Sequence, residues 1–171
     1  MTKSVIRHRL SIGRYNRWIS AGIAGSIGIF VANLVSQVLF FQLGYELLFQ
    51  SDQQSDKLIA VMTQMEPLPV METDPAVYLT ISLFIGALHG GIFAYIRDSL
   101  PENTIKSGLA YGGILWVLMA LYFEFHAPFN MFGEPLPLLG LELFFWAIVV
   151  SVEGVLISTL YERFGNSRQF D

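Results

Sequence analysis

The sequence predicts an all-α integral membrane protein: four transmembrane helices in an antiparallel up-down-up-down bundle, with both termini cytoplasmic and a short amphipathic helix in a long outer loop. Three observations lead there. The 27-residue run Trp18 to Gly44 has no ionisable side chain. Three more apolar runs follow it, and Lys and Arg fall almost wholly between alternate pairs of runs.

Composition sets the class first. With 53% apolar and only 14% charged residues, the 171-residue chain lies outside ordinary soluble composition. The formal charge of -4 conceals a segregation of signs by side, so nucleic-acid binding has no support. There is no cysteine, which removes disulfides, thiolate metal sites, iron–sulfur clusters and Cys nucleophiles together.

The first run, 18–44, would reach about 40 Å as a helix, more than the roughly 30 Å hydrocarbon core of a bilayer. Its basic lead-in resembles a signal-peptide n-region, but the apolar stretch is too long and lacks a small-residue cleavage site, so it is read as an uncleaved span. The second span covers 75–96, the third 107–123 and the fourth 136–161. None shows the alternation of a membrane barrel strand, and open sheets cannot stand in lipid.

Orientation follows from the basic residues. The N-terminal tail holds Lys3, Arg7, Arg9, Arg14 and Arg17, the inner loop 97–106 holds Arg97 and Lys106, and the C-terminal tail holds Arg163 and Arg168. The outer loops 45–74 and 124–135 hold Lys57 alone. This places both termini inside. The tail bases are expected to contact anionic headgroups of the inner leaflet, each contributing about 1 kcal/mol near the surface. In the long outer loop, Leu58, Val61, Met62 and Met65 recur at helical spacing until Pro67 and Pro69 end the pattern. The inner loop is short and turn-rich, which predicts that the second and third spans are neighbours.

Burial of apolar surface gives little drive for helix association in lipid, so small residues must let the backbones approach. Ala24, Gly28 and Ala32, Gly86 with Gly90, and Gly108 with Gly112 supply such faces. The polar residues in the spans and at their outer edge include two groups at different depths. His89 and Glu153 lie at one inner level, a pair suited to proton exchange or to locking helix register. Gln37, Glu124, His126 and Glu142 lie outward, a carboxylate-rich mouth with one imidazole. His126 stands in no metal-ligand pattern, and Met62, Met65, Met71 and Met131 are readily explained as contact residues, so no metal and no cofactor are assigned.

No hydrolase, phosphate-binding or dinucleotide motif is present. The expected role is therefore a non-enzymatic accessory, assembly or scaffold subunit of a membrane complex. Its partners would be the bilayer and another membrane protein or a second copy. The alternative is a small proton- or cation-coupled transporter or channel using His89, Glu142 and Glu153, and the next is a membrane enzyme with an outer Glu/His site. Outer loops without an N-x-S/T sequon fit a bacterial cytoplasmic membrane.

Overall fold

A computed structural model describes the backbone of residues 2–166 and the side chains of residues 17–164, and among these every regular element is a helix. Chain order gives α1 (Thr2–Val38), α2 (Tyr45–Leu48), α3 (Asp56–Thr63), α4 (Val70–Thr73), α5 (Pro75–Ile96), α6 (Thr104–Leu115), α7 (Tyr122–Glu124) and α8 (Leu136–Asn166). Among the described residues, four helical stretches are long and apolar enough to cross a membrane: Arg17–Leu43, Pro75–Ser99, Thr104–Phe129 and Leu136–Phe164. The tail bases Lys3, Arg7, Arg9 and Arg14 lie outside the described side chains.

Local chemistry fixes the helix starts. Asp74 accepts the Val77 amide at 3.1 Å and Pro75 occupies the first turn of α5, where its missing N–H costs nothing. Asn103 caps α6 in the same way through the Lys106 amide at 3.0 Å. That cap starts the third long helix at Thr104, three residues before the expected 107.

The same helix also runs beyond its expected end at 123. It widens to i→i+5 bonding over Trp116–Leu121 and again over Phe125–Phe129. Residues 124–129 are therefore helical, and the outer turn is confined to 130–135. A third widened turn, Leu39–Leu43, ends the first long helix, where the Gly44 amide donates to Leu39 O at 2.8 Å.

Glycine contacts decide which helices are close. A Cβ on Gly25 would lie 1.9 Å from Gly86 O, and one on Gly90 would lie 1.8 Å from Ala21 O, so α1 and α5 touch backbone to backbone. Gly108 and Gly112 meet Gly154, Val155 and Val150 of α8 in the same manner. Gly28 faces Ile157, and Ala24 and Ala32 are buried. The main packings are thus α1 on α5, α1 on α8 and α6 on α8.

The expected neighbours in sequence, α5 and α6, are not a closely packed pair. Their Gly faces are matched to α1 and α8, and large side chains bridge the gap. Tyr111 stacks edge-on against Phe93 at 5.3 Å and donates its hydroxyl to His89 O at 2.7 Å.

Two apolar clusters fill the interior. The inner one joins Phe93, Tyr111, Leu115, Val150 and Ile157; the outer one joins Phe40, Leu48, Leu138 and Phe145. The long loop caps the outer cluster. α3 buries Leu58 and holds the 130–135 turn, with Ser55 Oγ donating to Phe132 O and Lys57 Nζ to Met131 O at 2.6 Å.

Candidate functional site

Glu124, Glu134 and Glu142 come from three separate elements, and one carboxylate oxygen of each lies within 4.8 Å of the others. All three are buried, Glu124 and Glu134 with only 1% of their surface exposed. Glu124 sits in α7, between the two widened turns of the third long helix. Glu142 projects from the second turn of α8. Glu134 arrives through the outer turn: Gly133 takes a positive φ of 75°, and the Glu134 amide donates to Pro128 O at 2.9 Å.

Each of the two most buried carboxylates is gripped by one oxygen only. Trp146 Nε1 donates to Glu124 Oε1 at 2.5 Å, and Gln54 Nε2 donates to Glu134 Oε1 at 2.9 Å. Gln54 is itself fixed, since the same amide nitrogen also reaches Leu48 O at 2.8 Å. The second oxygens, Glu124 Oε2 and Glu134 Oε2, have no hydrogen-bond partner outside the acid group, and the carboxyl of Glu142 stands within hydrogen-bonding reach of both side chains. Burial pushes the Glu134 carboxyl above its ordinary value, against the pull of the hydrogen bond from Gln54.

Among the described residues no Lys or Arg side chain is paired with this group. Lys57 is turned to the Met131 carbonyl, and no Lys or Arg occurs between Ser107 and Glu162. Three adjacent buried carboxylates do not all ionise without a counter-charge, so they share protons or take up a cation.

A cavity of about 250 Å³ opens onto this group and is lined by Glu124, Glu142, Asn33, Gln37, Met62 and Met71 among a wall of aromatic rings. Phe40 anchors that wall, packing at 5.1 Å from Trp146 and 5.3 Å from Phe145. Gln37 belongs to the cavity rim; its amide donates to Met71 Sδ at 3.2 Å. His126 belongs to neither cavity nor cluster. It is exposed and stacks on Tyr122 with centroids 5.4 Å apart. The physical reason is the helix that continues past Glu124, because residues two apart on a helix point roughly 200° apart. The expected outer group of Gln37, Glu124, His126 and Glu142 is thus regrouped, with Glu134 standing where the imidazole was expected.

Away from the three acids, His89 Nδ1 lies 2.7 Å from Glu153 Oε1, and both residues are buried. The Tyr111 hydroxyl donates to the His89 carbonyl and so ties this level to the cluster that holds Tyr111 and Phe93. Arg17, expected at the inner leaflet, reaches the Ala94 carbonyl at 2.6 Å and Tyr161, joining α1 to α5 and α8.

Glu134, Gln54, Trp146 and Tyr111 escape sequence reasoning. Glu134 looks like a turn acid between Gly133 and Pro135, and nothing local marks it as buried. Trp146 carried a signal, since it lies four residues after Glu142 and so shares its helix face. No family profile, characterised protein or solved structure matches this chain.

Proposed function

We propose that the protein is a multi-pass membrane protein that crosses the bilayer four times, both termini cytoplasmic, and acts as a non-enzymatic accessory or assembly subunit. Several observations support the placement. Large apolar side chains stand exposed on each long helix, among them Leu34, Phe84, Leu118 and Phe144. The Lys and Arg residues other than Lys57 segregate to the ends and the inner loop. Contacts between α1 and α5 run in opposite order, Ala21 to Gly90 and Gly25 to Gly86, which supports an antiparallel arrangement.

The observation that carries the accessory reading is the one-sidedness of the cavity. It includes Glu124 and Glu142 but neither His89 nor Glu153. The α8 residues between the two levels include Val149 and Val150, both buried. A conducted ion or substrate needs a path past that level, and a docking subunit does not. The test is purification in mild detergent with identification of co-purifying chains. A stable complex is expected; a monodisperse lone chain that supports full cellular function overturns the reading.

A second reading, proton-coupled transport, is favoured by the buried His89–Glu153 pair, because ionisable groups at such depth commonly mark proton paths. Replacing Glu153 by Gln discriminates the two. Loss of a proton-dependent flux in a folded variant supports transport, and unchanged behaviour removes it.

A further inference from the structure

We propose that Glu124, Glu134 and Glu142 form a binding site for one hard divalent cation of the Mn²⁺ or Ca²⁺ class. The proximity of three acids is not sufficient by itself. The added observation is that Glu124 Oε2 and Glu134 Oε2 belong to residues 1% exposed and yet meet no donor outside the acid group itself. An unpaired buried carboxylate oxygen is costly, and a cation removes that cost for all three groups together.

The groups around the acids are those a metal site needs. Trp146 and Gln54, which are not ligands, each hold one carboxylate by a single oxygen and leave the other to the acid group. Outer donors that orient ligating carboxylates in this way set the direction of the metal-binding lone pairs. The donor set is all oxygen, with no thiolate and, since His126 stacks on Tyr122, no imidazole in the group. Such a set suits hard cations and disfavours Cu(I). Three carboxylates leave positions to be completed by water, and the adjoining cavity of about 250 Å³ has room for it. The thioethers of Met62 and Met71 line that cavity, but they are the wrong class of ligand for such an ion. The site also joins three elements, so its occupancy ties the 130–135 turn, and through Gln54 the long outer loop, to the ends of α7 and α8.

The inference does not depend on the accessory role, and its test uses the full chain alone. Protein purified in a chelator and then freed of it is titrated with Mn²⁺ at pH 7.5, with free ion followed by its electron paramagnetic resonance signal. The expected result is one Mn²⁺ per chain, displaced by Ca²⁺. Binding should be at least tenfold weaker in Glu142→Gln and in Glu134→Gln, and unchanged in Glu72→Gln, an exposed acid of the same loop. If one variant does not fold, the other and the wild-type thermal midpoint carry the test. That midpoint should rise with Mn²⁺ and return on adding chelator. Absence of stoichiometric binding by folded wild-type protein up to millimolar ion would mean that the carboxyls share protons instead, and would overturn the proposal. So would binding that survives both cluster variants or is lost in Glu72→Gln.

Discussion

Adding one methyl group at Gly90 should part α1 from α5, while the same change one residue later should be harmless. A Cβ on Gly90 would sit 1.8 Å from Ala21 O, 2.7 Å from Ala21 C and 3.0 Å from Gly25 N, all backbone atoms that cannot rotate away. Ordinary contact begins near 3.4 Å, so the helices must separate by roughly 1.6 Å at the crossing. A radial gap of 0.5–1 Å already forfeits about a quarter to a half of a dispersion well, so most of the attraction along this face is lost. Dispersion is also the main force joining helices in lipid. Overpacking of this kind costs about 1–3 kcal/mol, against a gain of roughly 0.5–1 kcal/mol from replacing a helical Gly by Ala. Gly90→Ala should therefore be clearly destabilised.

Gly91→Ala keeps the helical gain without the clash, because its nearest neighbour is a Trp18 ring carbon at 3.9 Å. It should be neutral or slightly more stable. Unfolding of both variants in mixed micelles, followed by far-ultraviolet circular dichroism across an SDS titration, measures the difference. Equal midpoints for Gly90→Ala and Gly91→Ala would refute the close-approach reasoning.

Three other outcomes follow from the polar groups. His89→Leu or Glu153→Leu alone should cost about 3–5 kcal/mol by leaving its partner buried and unpaired, with most of the loss recovered in the double variant; additive losses in a double-mutant cycle would contradict the pairing. Trp146→Phe keeps a ring beside Phe40 but removes the donor to Glu124 Oε1, and should lower the thermal midpoint by the equivalent of about 1–3 kcal/mol. With divalent ions chelated, the burial-raised carboxyl of Glu134 makes the folded outer turn hold a proton that the unfolded chain releases. Its stabilisation is therefore complete below the ordinary Glu value and is lost as pH rises through the raised one. Amide exchange in α3 should accelerate with pH beyond the intrinsic base-catalysed rate, and Glu134→Gln should abolish that excess.

Much of the architecture was legible because it rests on properties local to a segment. Runs of apolar residues, the helix start at Pro75 and the short outer helix under Leu58, Val61 and Met62 each follow from neighbouring residues acting on one helix, although that helix ends at Thr63 and leaves Met65 outside it. The end of the third helix was not legible. Pro128 and the aromatic residues around it read as a loop, whereas widened turns absorb the proline and keep the chain helical to Phe129. That difference moved His126 out of the polar group, since helical geometry sends it away from Glu124. Gly25 and Gly154 show the same limit. Neither forms an i, i+4 pair of glycines within its own helix, and each matters only because another helix supplies Gly86, Gly90, Gly108 and Gly112 opposite it.

What the sequence determined by itself is the number of long apolar helices and the separation of basic from acidic ends, because hydrophobicity and charge act additively along a segment. What the tertiary structure decided is which helix faces touch and which acids meet. The convergence of Glu124, Glu134 and Glu142, and the single-oxygen grip that Trp146 and Gln54 place on two of them, depend on the relative placement of segments up to 80 residues apart in the chain. Contacts at that range are set by the joint packing of several helices, so no window of sequence contains them.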